Sequence, residues 1–535
     1  MPSSSLKRAL RTLLPVLIFL LCLGVSVGFY AAYGQHNLDS DISSEFVLAQ
    51  LLNEEGRAFL TDSWYYSTEL RIVSPVPVYQ LALRLFSDWH VARTVSIAVL
   101  LCGVALSLVY LARGLGVSLT AALLCAGALV LPITEYNAFT LVYGGFYTVC
   151  VMLTFVQLGL VLRMDKKRLR EPLLLALLGV YGGLNGVRMP MICVAPLLAA
   201  CVINLFVEMR RCNRLRDALT LPSLPLAAGG VLLTLATLIG YAINTRVLSA
   251  AYDFAQYSET ALCPLSVDTF TDQLICLTSF FGYRNDAMLL SLEGVVSLLA
   301  FALPFFGAAA MILLLRMPLS ARERLGALFI PIALVLGMVI NVLTLINDHP
   351  EPLPYSVSYY MPAALLMVFA LFWVFDRFAC KMKVLRVVPM LALVGVFLAG
   401  NTAYRRNDLH TYNTELENIA EYLMDEGCVQ GYATFWNANV LTEITDGEID
   451  VYTVENWETG DFNEWLQRKD HEDWAPVGSV FAIFSMRDYE NGVPGCDDEH
   501  LFYSSDDLCV VVYDSNEEFL RARAGESEPD DTILP

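Results

Sequence analysis

Charged residues are scarce in this sequence. Only 16% of its 535 residues are Asp, Glu, Lys or Arg, whereas 56% belong to the apolar set AVILMFWYC; soluble domains contain about 25% charged residues. The sequence also lacks internal repeats, low-complexity tracts, a Cys-x-x-Cys pair and the Cys/His spacing of a zinc site. Its acidic C-terminal part has no basic stripe with interleaved aromatic residues, so we expect no nucleic-acid partner. These absences disfavour a soluble, zinc-organised or nucleic-acid-binding protein.

Long apolar runs alternate with short charged breaks as far as about position 401. Runs of about 18 or more apolar residues predict membrane-spanning helices. The first run follows Lys7, Arg8 and Arg11, and its length of about 21 residues exceeds the ~7–15 residues of a cleaved signal peptide, so we expect it to be retained. Eleven spans are predicted, at 13–33, 91–111, 119–133, 144–162, 173–186, 189–209, 223–243, 288–315, 326–346, 359–376 and 387–401.

Basic residues fall on one side of this alternating topology. When the connecting segments are assigned in turn to the two sides, every Lys/Arg cluster shares the side of the N-terminus. Cytoplasmic loops of membrane proteins are enriched in Lys and Arg. The sequence therefore predicts a multi-pass membrane protein with a cytoplasmic N-terminus and an extracytoplasmic C-terminal part. The clusters lie at 163–170, 210–216, 316–324 and 377–386.

The texture of the sequence changes after position 401. Residues 407–535 contain 31 of the 54 acidic residues but only five of the 34 basic ones. Helical spacing of apolar residues at 416–424 and four strand-like segments predict an extracytoplasmic α/β domain. The strand-like segments are 432–435, 449–454, 479–486 and 508–514. The predicted parts are a membrane module at 1–401 with outer loops 35–90 and 244–287, the α/β domain at 402–525, and a disordered tail at 526–535.

Five of the 13 cysteines fall outside the predicted spans and cytoplasmic segments, in a compartment that permits disulfides. We predict the short-range pairings Cys263 with Cys276 and Cys496 with Cys509, which leave Cys428 without a partner. Spacing alone leaves other pairings open.

Two aspartates stand directly after the first span. Asp39 and Asp41 precede an apolar pattern that predicts a helix along the membrane surface. A carboxylate held there and partly screened from water suits a general base, because desolvation raises its pKa toward neutral pH. In an extended segment the two side chains would share a face and could bind a divalent cation such as Mg²⁺ or Mn²⁺. The structural alternative is that Asp41 caps the helix and Asp39 is solvated.

This arrangement resembles the GT-C superfamily of membrane glycosyltransferases, which includes protein O-mannosyltransferases, oligosaccharyltransferases and bacterial aminoarabinose transferases. Its members share a cytoplasmic N-terminus, many spans and an essential acidic residue in the first outer loop, and often a soluble domain after the last span. Asp39, in LDSD, stands at that acidic position. The segment SYYMPAALL at 358–366 is similar to an "RY-L-P" segment at a late span of bacterial members, although Ser358 stands where many members have Arg.

The resemblance implies a bacterial plasma membrane and an inverting transfer of a hexose or pentose. Such enzymes move a sugar from a polyprenyl-phosphate carrier to a hydroxyl or amine of a glycan, lipid or protein of the cell envelope. Asp39 would then be the base, with Asp41 as its partner or as a metal ligand. Arg188 and Arg246 are candidates for binding the donor phosphate, because both lie on the outer side, against the positive-inside trend. Arg188 has the alternative of extending to lipid headgroups.

Three further outer residues are candidates for acceptor or metal binding. They are Glu135 in TEYNAF, His349 in NDHPEP and His90 in SDWH; each also fits a solvated loop side chain. Two other classes of protein stay open, a flippase or transporter of lipid-linked glycans and a non-catalytic scaffold that displays the acidic domain. The near absence of charges within the spans counts against ion-coupled transport.

Overall fold

A computed structural model describes residues 4–165, 169–210, 220–254, 266–343, 354–378, 384–407, 409 and 411–525. Over these residues the chain is mainly helical. Its α-helices are α1 Ser4–Tyr33, α2 Ser40–Glu54, α3 Val76–Leu85, α4 Trp89–Gly114, α5 Leu119–Leu129, α6 Glu135–Ala138, α7 Phe146–Val161, α8 Arg170–Gly183, α9 Ala195–Met209, α10 Ser223–Arg246, α11 Val267–Phe280, α12 Leu292–Arg316, α13 Ala321–Leu343, α14 Met361–Arg377, α15 Val384–Asn407, α16 Thr414–Asp425, α17 Phe435–Ile444, α18 Met486–Glu490 and α19 Asn516–Ala524.

Strands are short and lie mostly in the C-terminal part of the chain. They are β1 Trp64–Tyr65, β2 Gln430–Thr434, β3 Asp450–Val454, β4 Gln467–Arg468, β5 Val480–Ser485, β6 Leu501–Ser504 and β7 Leu508–Tyr513.

Eight described helical segments are long and apolar enough to cross a membrane. A bent pair, Glu135–Tyr143 with Tyr147–Val161, makes a ninth if it is counted as one span. Two further predicted spans coincide with α5 and α8, which have 11 and 14 residues and are shorter than the ~20 residues that cross a bilayer. The predicted class, a polytopic helical membrane protein, is confirmed. The count of eleven spans stays a prediction.

Helix α14 occupies the centre of the bundle. Its residues from Met361 to Val374 are all buried, and it packs against α5, α7, α12, α13 and α15. A helix that is apolar on every face needs neighbours on every side. The phenylalanine-rich and alanine-rich sequence of this segment meets that condition.

Helices α8 and α10 meet backbone to backbone. A Cβ atom on Gly183 would collide with the carbonyl oxygen of Thr237, and one on Gly240 would collide with that of Val180. Small residues permit this approach where membrane helices pack, since little hydrophobic force acts between helices in lipid. The two glycines therefore fix how closely this helix pair packs.

The C-terminal part contains the predicted α/β unit. Five strands form one sheet in the order β3-β2-β5-β7-β6. Strand β2 is parallel to β3 and β5, whereas β7 is antiparallel to β5 and β6. Helix α17 joins the parallel strands β2 and β3, as a parallel pair requires a crossover. The four predicted strands and the helix α16 are present; β6 was not predicted, because its side chains are largely exposed and show no apolar alternation.

The first outer loop and the C-terminal part are packed together. Strand β1 of the loop pairs antiparallel with β4, with Trp64 opposite Arg468, and α17 packs against α2. Trp64 is fully buried. The C-terminal part therefore covers the loop 35–90 instead of standing apart from the membrane module.

Basic residues meet at the ends of the helices that lie away from the C-terminal part. Arg324 of α13 contacts Glu208 of α9 at 2.6 Å, and Arg377 of α14 pairs with Glu323 of α13. These are members of the predicted basic clusters or their immediate neighbours. Parts of those clusters, at 166–168, 211–216 and 379–383, lie outside the described residues.

Candidate functional site

Asp39 begins the helix α2. Its backbone is extended, with φ −124° and ψ 170°, and its carboxylate accepts a hydrogen bond of 2.8 Å from the backbone N–H of Ile42. The capping role that the sequence alternative gave to Asp41 therefore belongs to Asp39, whose Oδ1 satisfies an otherwise orphan donor of the first turn. Asp41 lies within that first turn. Both side chains are half-buried.

The Asp39 carboxyl has a strongly perturbed pKa. Burial, and to a smaller extent the carboxylate of Asp41, raises its pKa from the usual 3.8 to about 7. The Ile42 N–H, Arg71 and Arg93 act in the opposite direction. A carboxyl with this pKa is partly ionised at neutral pH and can take up or give back a proton.

A buried ion pair lies beside the two aspartates. Arg71 donates to Glu45 at 2.9 Å, and both side chains are largely buried. Burial raises the pKa of Glu45 to about 7, with Arg71 and Arg93 opposing the rise. Arg71 has a φ of 56°, a left-handed backbone conformation that costs a non-glycine residue of the order of 1 kcal/mol or more and tends to occur at functional sites.

A second ion pair lies next to this cluster. Glu69 accepts from Arg188 at 2.8 Å and from the amide of Asn185 at 2.7 Å. The side-chain oxygen of Asn185 accepts in turn from the backbone N–H of Val73. The turn after α8, which carries Asn185 and Arg188, is therefore tied to the loop that carries Glu69 and Arg71.

Aromatic rings surround the guanidinium group of Arg188. Its carbon atom lies 5.2 Å from the ring centre of Tyr147 and 5.4 Å from that of Tyr359, within the range of cation–π attraction. Tyr359 belongs to the segment SYYMPAALL. The structure thus brings three sequence signals together at one end of the helical bundle: the LDSD aspartates, Arg188 and the late-span tyrosines.

Arg246, Glu135 and His90 do not join this cluster. Arg246 is exposed at the last residue of α10. Glu135 accepts a hydrogen bond of 2.7 Å from the hydroxyl of Tyr412. His90 stacks on Tyr30 and its Nε2 lies 3.0 Å from the Ala31 carbonyl oxygen. His349 lies outside the described residues. The proposed roles of all four residues stay predictions.

The structure describes three of the four cysteines in the two predicted pairs. The Sγ atoms of Cys496 and Cys509 lie 3.6 Å apart and both residues are buried; a disulfide would need them at about 2.05 Å. Cys276 is buried on α11, and Cys263 lies outside the described residues. Both disulfides stay predictions.

Metal binding is limited by the number of nearby ligands. Among residues 4–525 that the structure describes, no group of three or more His, Cys, Asp or Glu side chains could hold a metal ion. Asp39 and Asp41 supply two carboxylates, and Mg²⁺ prefers six oxygen ligands, of which waters and substrate phosphates commonly supply several. A divalent cation at this site stays a prediction.

Several cluster residues were missed by the sequence reasoning. Glu69 and Arg71 lie two residues apart in the outer loop, and Glu45 lies on the apolar helix α2. A carboxylate on the apolar pattern of a surface helix is a signal that sequence inspection offers, because burial of an unpaired charge is costly. Its partner Arg71 lies 26 residues away, and no spacing rule connects the two.

The fold is shared with solved structures of a known class. As the sequence predicted, the chain has a GT-C-like fold. The structures are those of ArnT from Cupriavidus metallidurans, a GT-C aminoarabinose transferase. The form bound to undecaprenyl phosphate is 12% identical with a TM-score of 0.55, and the apo form is 14% identical with a TM-score of 0.52; each comparison covers 95% of this chain and 98% of ArnT. No protein-family model matches the chain, and no curated protein matches its sequence.

Proposed function

We propose that this protein is a membrane glycosyltransferase that moves a sugar from a polyprenyl-phosphate donor to an acceptor outside the cytoplasm. The observation that carries the proposal is the Asp39 carboxyl, whose pKa is raised to about 7 at the outer end of the first span. The shared fold supports it, since ArnT has been crystallised with undecaprenyl phosphate. A fold by itself does not assign an activity, so the proposal depends on the site.

Asp39 is the proposed general base. Its ionised carboxylate removes the proton from an acceptor hydroxyl or amine as that oxygen or nitrogen attacks the anomeric carbon of the donor sugar. The bond between this carbon and the phosphate oxygen breaks, polyprenyl phosphate leaves with the electron pair, and the anomeric configuration inverts. A base with a pKa near the working pH combines adequate ionisation with adequate basicity.

Arg188 is the proposed partner of the donor phosphate. It stands beside Tyr359, so it supplies from another element the positive charge that many GT-C members carry in the late-span segment, where this chain has Ser358. Glu69 contacts Arg188 at 2.8 Å. When the donor binds, the guanidinium would contact the phosphate either together with Glu69 or in its place. Arginine suits this role because its planar fork binds phosphate through two parallel hydrogen bonds. Exposed Arg246 is a second, more distant candidate.

Acceptor and metal roles complete the proposal. Asp41, with a divalent cation such as Mg²⁺ or Mn²⁺, would neutralise charge on the leaving phosphate. Glu135, His90 and His349 are candidates for holding the acceptor, which would be a glycan, lipid or protein of the cell envelope. Metal dependence is tested by transfer after chelation and after return of each cation.

The proposed orientation puts the N-terminus in the cytoplasm and the C-terminal part outside. It is supported by the ion pairs of Arg324 and Arg377 at the helix ends away from the C-terminal part, because basic residues concentrate on the cytoplasmic side. Alkaline phosphatase fused after residue 535 should be active in intact cells. An inactive fusion would indicate the reverse orientation, with the C-terminal part in the cytoplasm.

The direct test is sugar transfer from labelled polyprenyl-phosphate donors to membranes of the native host. Asp39→Asn should lower the transfer rate by about 10²–10⁴-fold, the usual contribution of a general base. Asp62→Asn is the matched control, because Asp62 is an exposed aspartate of the same loop, paired with Arg57. The control should transfer at the wild-type rate at equal expression.

The outcome separates the classes of protein. Loss of transfer in Asp39→Asn alone supports the transferase, and the labelled product identifies the acceptor. If no donor in a broad panel is consumed, or if Asp39→Asn matches the wild type, the transferase proposal fails. A flippase or a scaffold would then explain the protein better.

A further inference from the structure

The segment that carries Asp39 is held by the C-terminal part of the chain. Asn413, at the start of α16, donates its side-chain amide to the carbonyl oxygens of Gln35 and Leu38 at 3.1 and 2.8 Å, and its backbone N–H to that of His36 at 3.0 Å. One buried residue thus binds three of the four residues that precede Asp39. Its position in the sequence, 374 residues after Asp39, gives no hint of this contact.

Further contacts continue on both sides of Asp39. The Ser40 hydroxyl donates to the Phe435 carbonyl oxygen at the start of α17, and the Gln35 amide donates to Ile444 at its end. His36 contacts Glu417 at 2.7 Å. The turn from the first span into α2 therefore rests on α16 and α17.

A buried ion pair contacts the first turn of α2. Arg93, near the start of α4, donates to both carboxylate oxygens of Glu443 on α17, with 2.8 Å to Oε2. The same guanidinium donates to the Ile42 carbonyl oxygen at 3.3 Å and lies 4.4 Å from the ring centre of Phe46. Arg93 is completely buried and Glu443 nearly so. Such a pair is held firmly, because loss of either partner leaves a buried charge.

We propose that the C-terminal part belongs to the catalytic centre, with Glu443 and Asn413 as positioning residues that hold the first turn of α2 and so the Asp39 carboxylate. This inference rests on the proposed function of Asp39 as base. It gives the C-terminal part a role in the reaction itself. If that part only displayed a surface or docked a substrate, residues 35–42 would not depend on it.

The experiment compares Glu443→Gln, Asn413→Ala and Glu448→Gln in the full-length protein in lipid nanodiscs. Glu448 is an exposed acid five residues after Glu443, so its variant removes the same charge outside the contact. Glu443→Gln should lower kcat about tenfold or more with an unchanged KM for the donor, because small displacements of a reacting group cost up to ~100-fold. Asn413→Ala should also lower kcat, and Glu448→Gln should leave it at the wild-type value.

A second measurement does not require activity. Hydrogen–deuterium exchange of the backbone amides at 38–43 should accelerate in Glu443→Gln and in Asn413→Ala, and not in Glu448→Gln. Exchange within α14 is the internal reference for global unfolding. Faster exchange confined to 38–43 supports the positioning role, whether or not the donor panel reveals transfer.

The two proposals fail in different ways. If exchange at 38–43 is unchanged in both variants, the C-terminal part does not position Asp39, and the positioning inference is overturned even in an active enzyme. If exchange accelerates but the wild type transfers no sugar, the contact is established and the transferase proposal fails. A fall in kcat without faster exchange at 38–43 also counts against positioning.

Discussion

The two ends of the helical bundle use charge differently. At the basic end, Arg324 with Glu208 and Arg377 with Glu323 join neighbouring helices, one cation to one acid. These pairs are partly buried. They link α9 to α13 and α13 to α14, so they hold neighbouring helices together.

The end that carries Asp39 holds more acids than cations. Four carboxyl groups, those of Asp39, Asp41, Glu45 and Glu69, lie around Arg71 and Arg188, and the third nearby cation, Arg93, is neutralised by Glu443. Burial raises the pKa values of Asp39 and Glu45, and the neighbouring Asp41 carboxylate adds to the rise. The comparison teaches that ion pairs occur at both ends, whereas carboxyl groups with raised pKa values mark the candidate site.

The largest expected effect is on the pH dependence of transfer. The base must be ionised, so kcat should fall about tenfold per pH unit below pH ~7 and level off above it. Asp41→Asn should move this limb to lower pH, because the Asp41 charge raises the pKa of Asp39. The measurement is kcat between pH 5 and 9, with Asp62→Asn as the control. A flat profile from pH 5 to 8 would contradict the role of Asp39.

Removal of the Arg71 charge should have the next largest effect, on the free energy of unfolding. Arg71→Met leaves Glu45 buried without its partner and should lower the free energy of unfolding by about 3 kcal/mol at pH 8. The loss should be smaller at pH 6, where the Glu45 carboxyl takes up a proton. Denaturant unfolding in mixed micelles measures both values, with Arg57→Met, at an exposed pair of the same loop, as the control. An equal loss at the two pH values would refute the shifted pKa of Glu45.

A substitution at the basic end should change the free energy of unfolding and leave kcat unchanged. Arg324→Met breaks the pair with Glu208 and should lower the free energy of unfolding by about 1–2 kcal/mol, while kcat of the folded fraction stays at the wild-type value. The exposed neighbour Arg322 provides the control variant Arg322→Met. A lower kcat in Arg324→Met would mean that the two ends are coupled, and the contrast between them would fail.

The remaining effect is on the pH dependence of stability. A carboxyl whose pKa rises from 4.5 to about 7 on folding binds more protons folded than unfolded, so stability falls as pH rises between those values. The thermal midpoint of the wild type should be lower at pH 8 than at pH 5. Glu45→Gln should reduce this difference without abolishing it, since Asp39 has the same sign. Equal pH dependence in both proteins would rule out a buried, titrating Glu45.

The sequence predicts features that depend on local composition. Apolar runs locate the helices, and charge asymmetry separates the C-terminal part. The position of Asp39 is predictable too, because it depends only on distance from the first span. The lengths of α5 and α8 were harder to predict. A run of apolar residues does not show where a helix ends, as α8 does at Gly183, where it packs against α10.

Contacts between distant segments were beyond prediction. Glu443 lies 350 residues from Arg93, and β1 and β4 have two residues each, too few for a strand pattern. Likewise, the capping role of Asp39 in place of Asp41 depends on where α2 starts, which is set by its contacts with α17. These features arise from tertiary packing, which one-dimensional periodicity does not record.

The pairing of β1 with β4 also orders the biosynthesis of the protein. Strand β4 leaves the ribosome about 400 residues after β1, when all the described membrane-spanning helices have already been made. A nascent chain that stops at α15 contains every described membrane-spanning helix but lacks the residues of α16 and α17 that contact the segment around Asp39. The loop at 35–90 thus reaches its final packing only after these later elements have been made, and chains truncated after α15 would lack the contacts that hold Asp39.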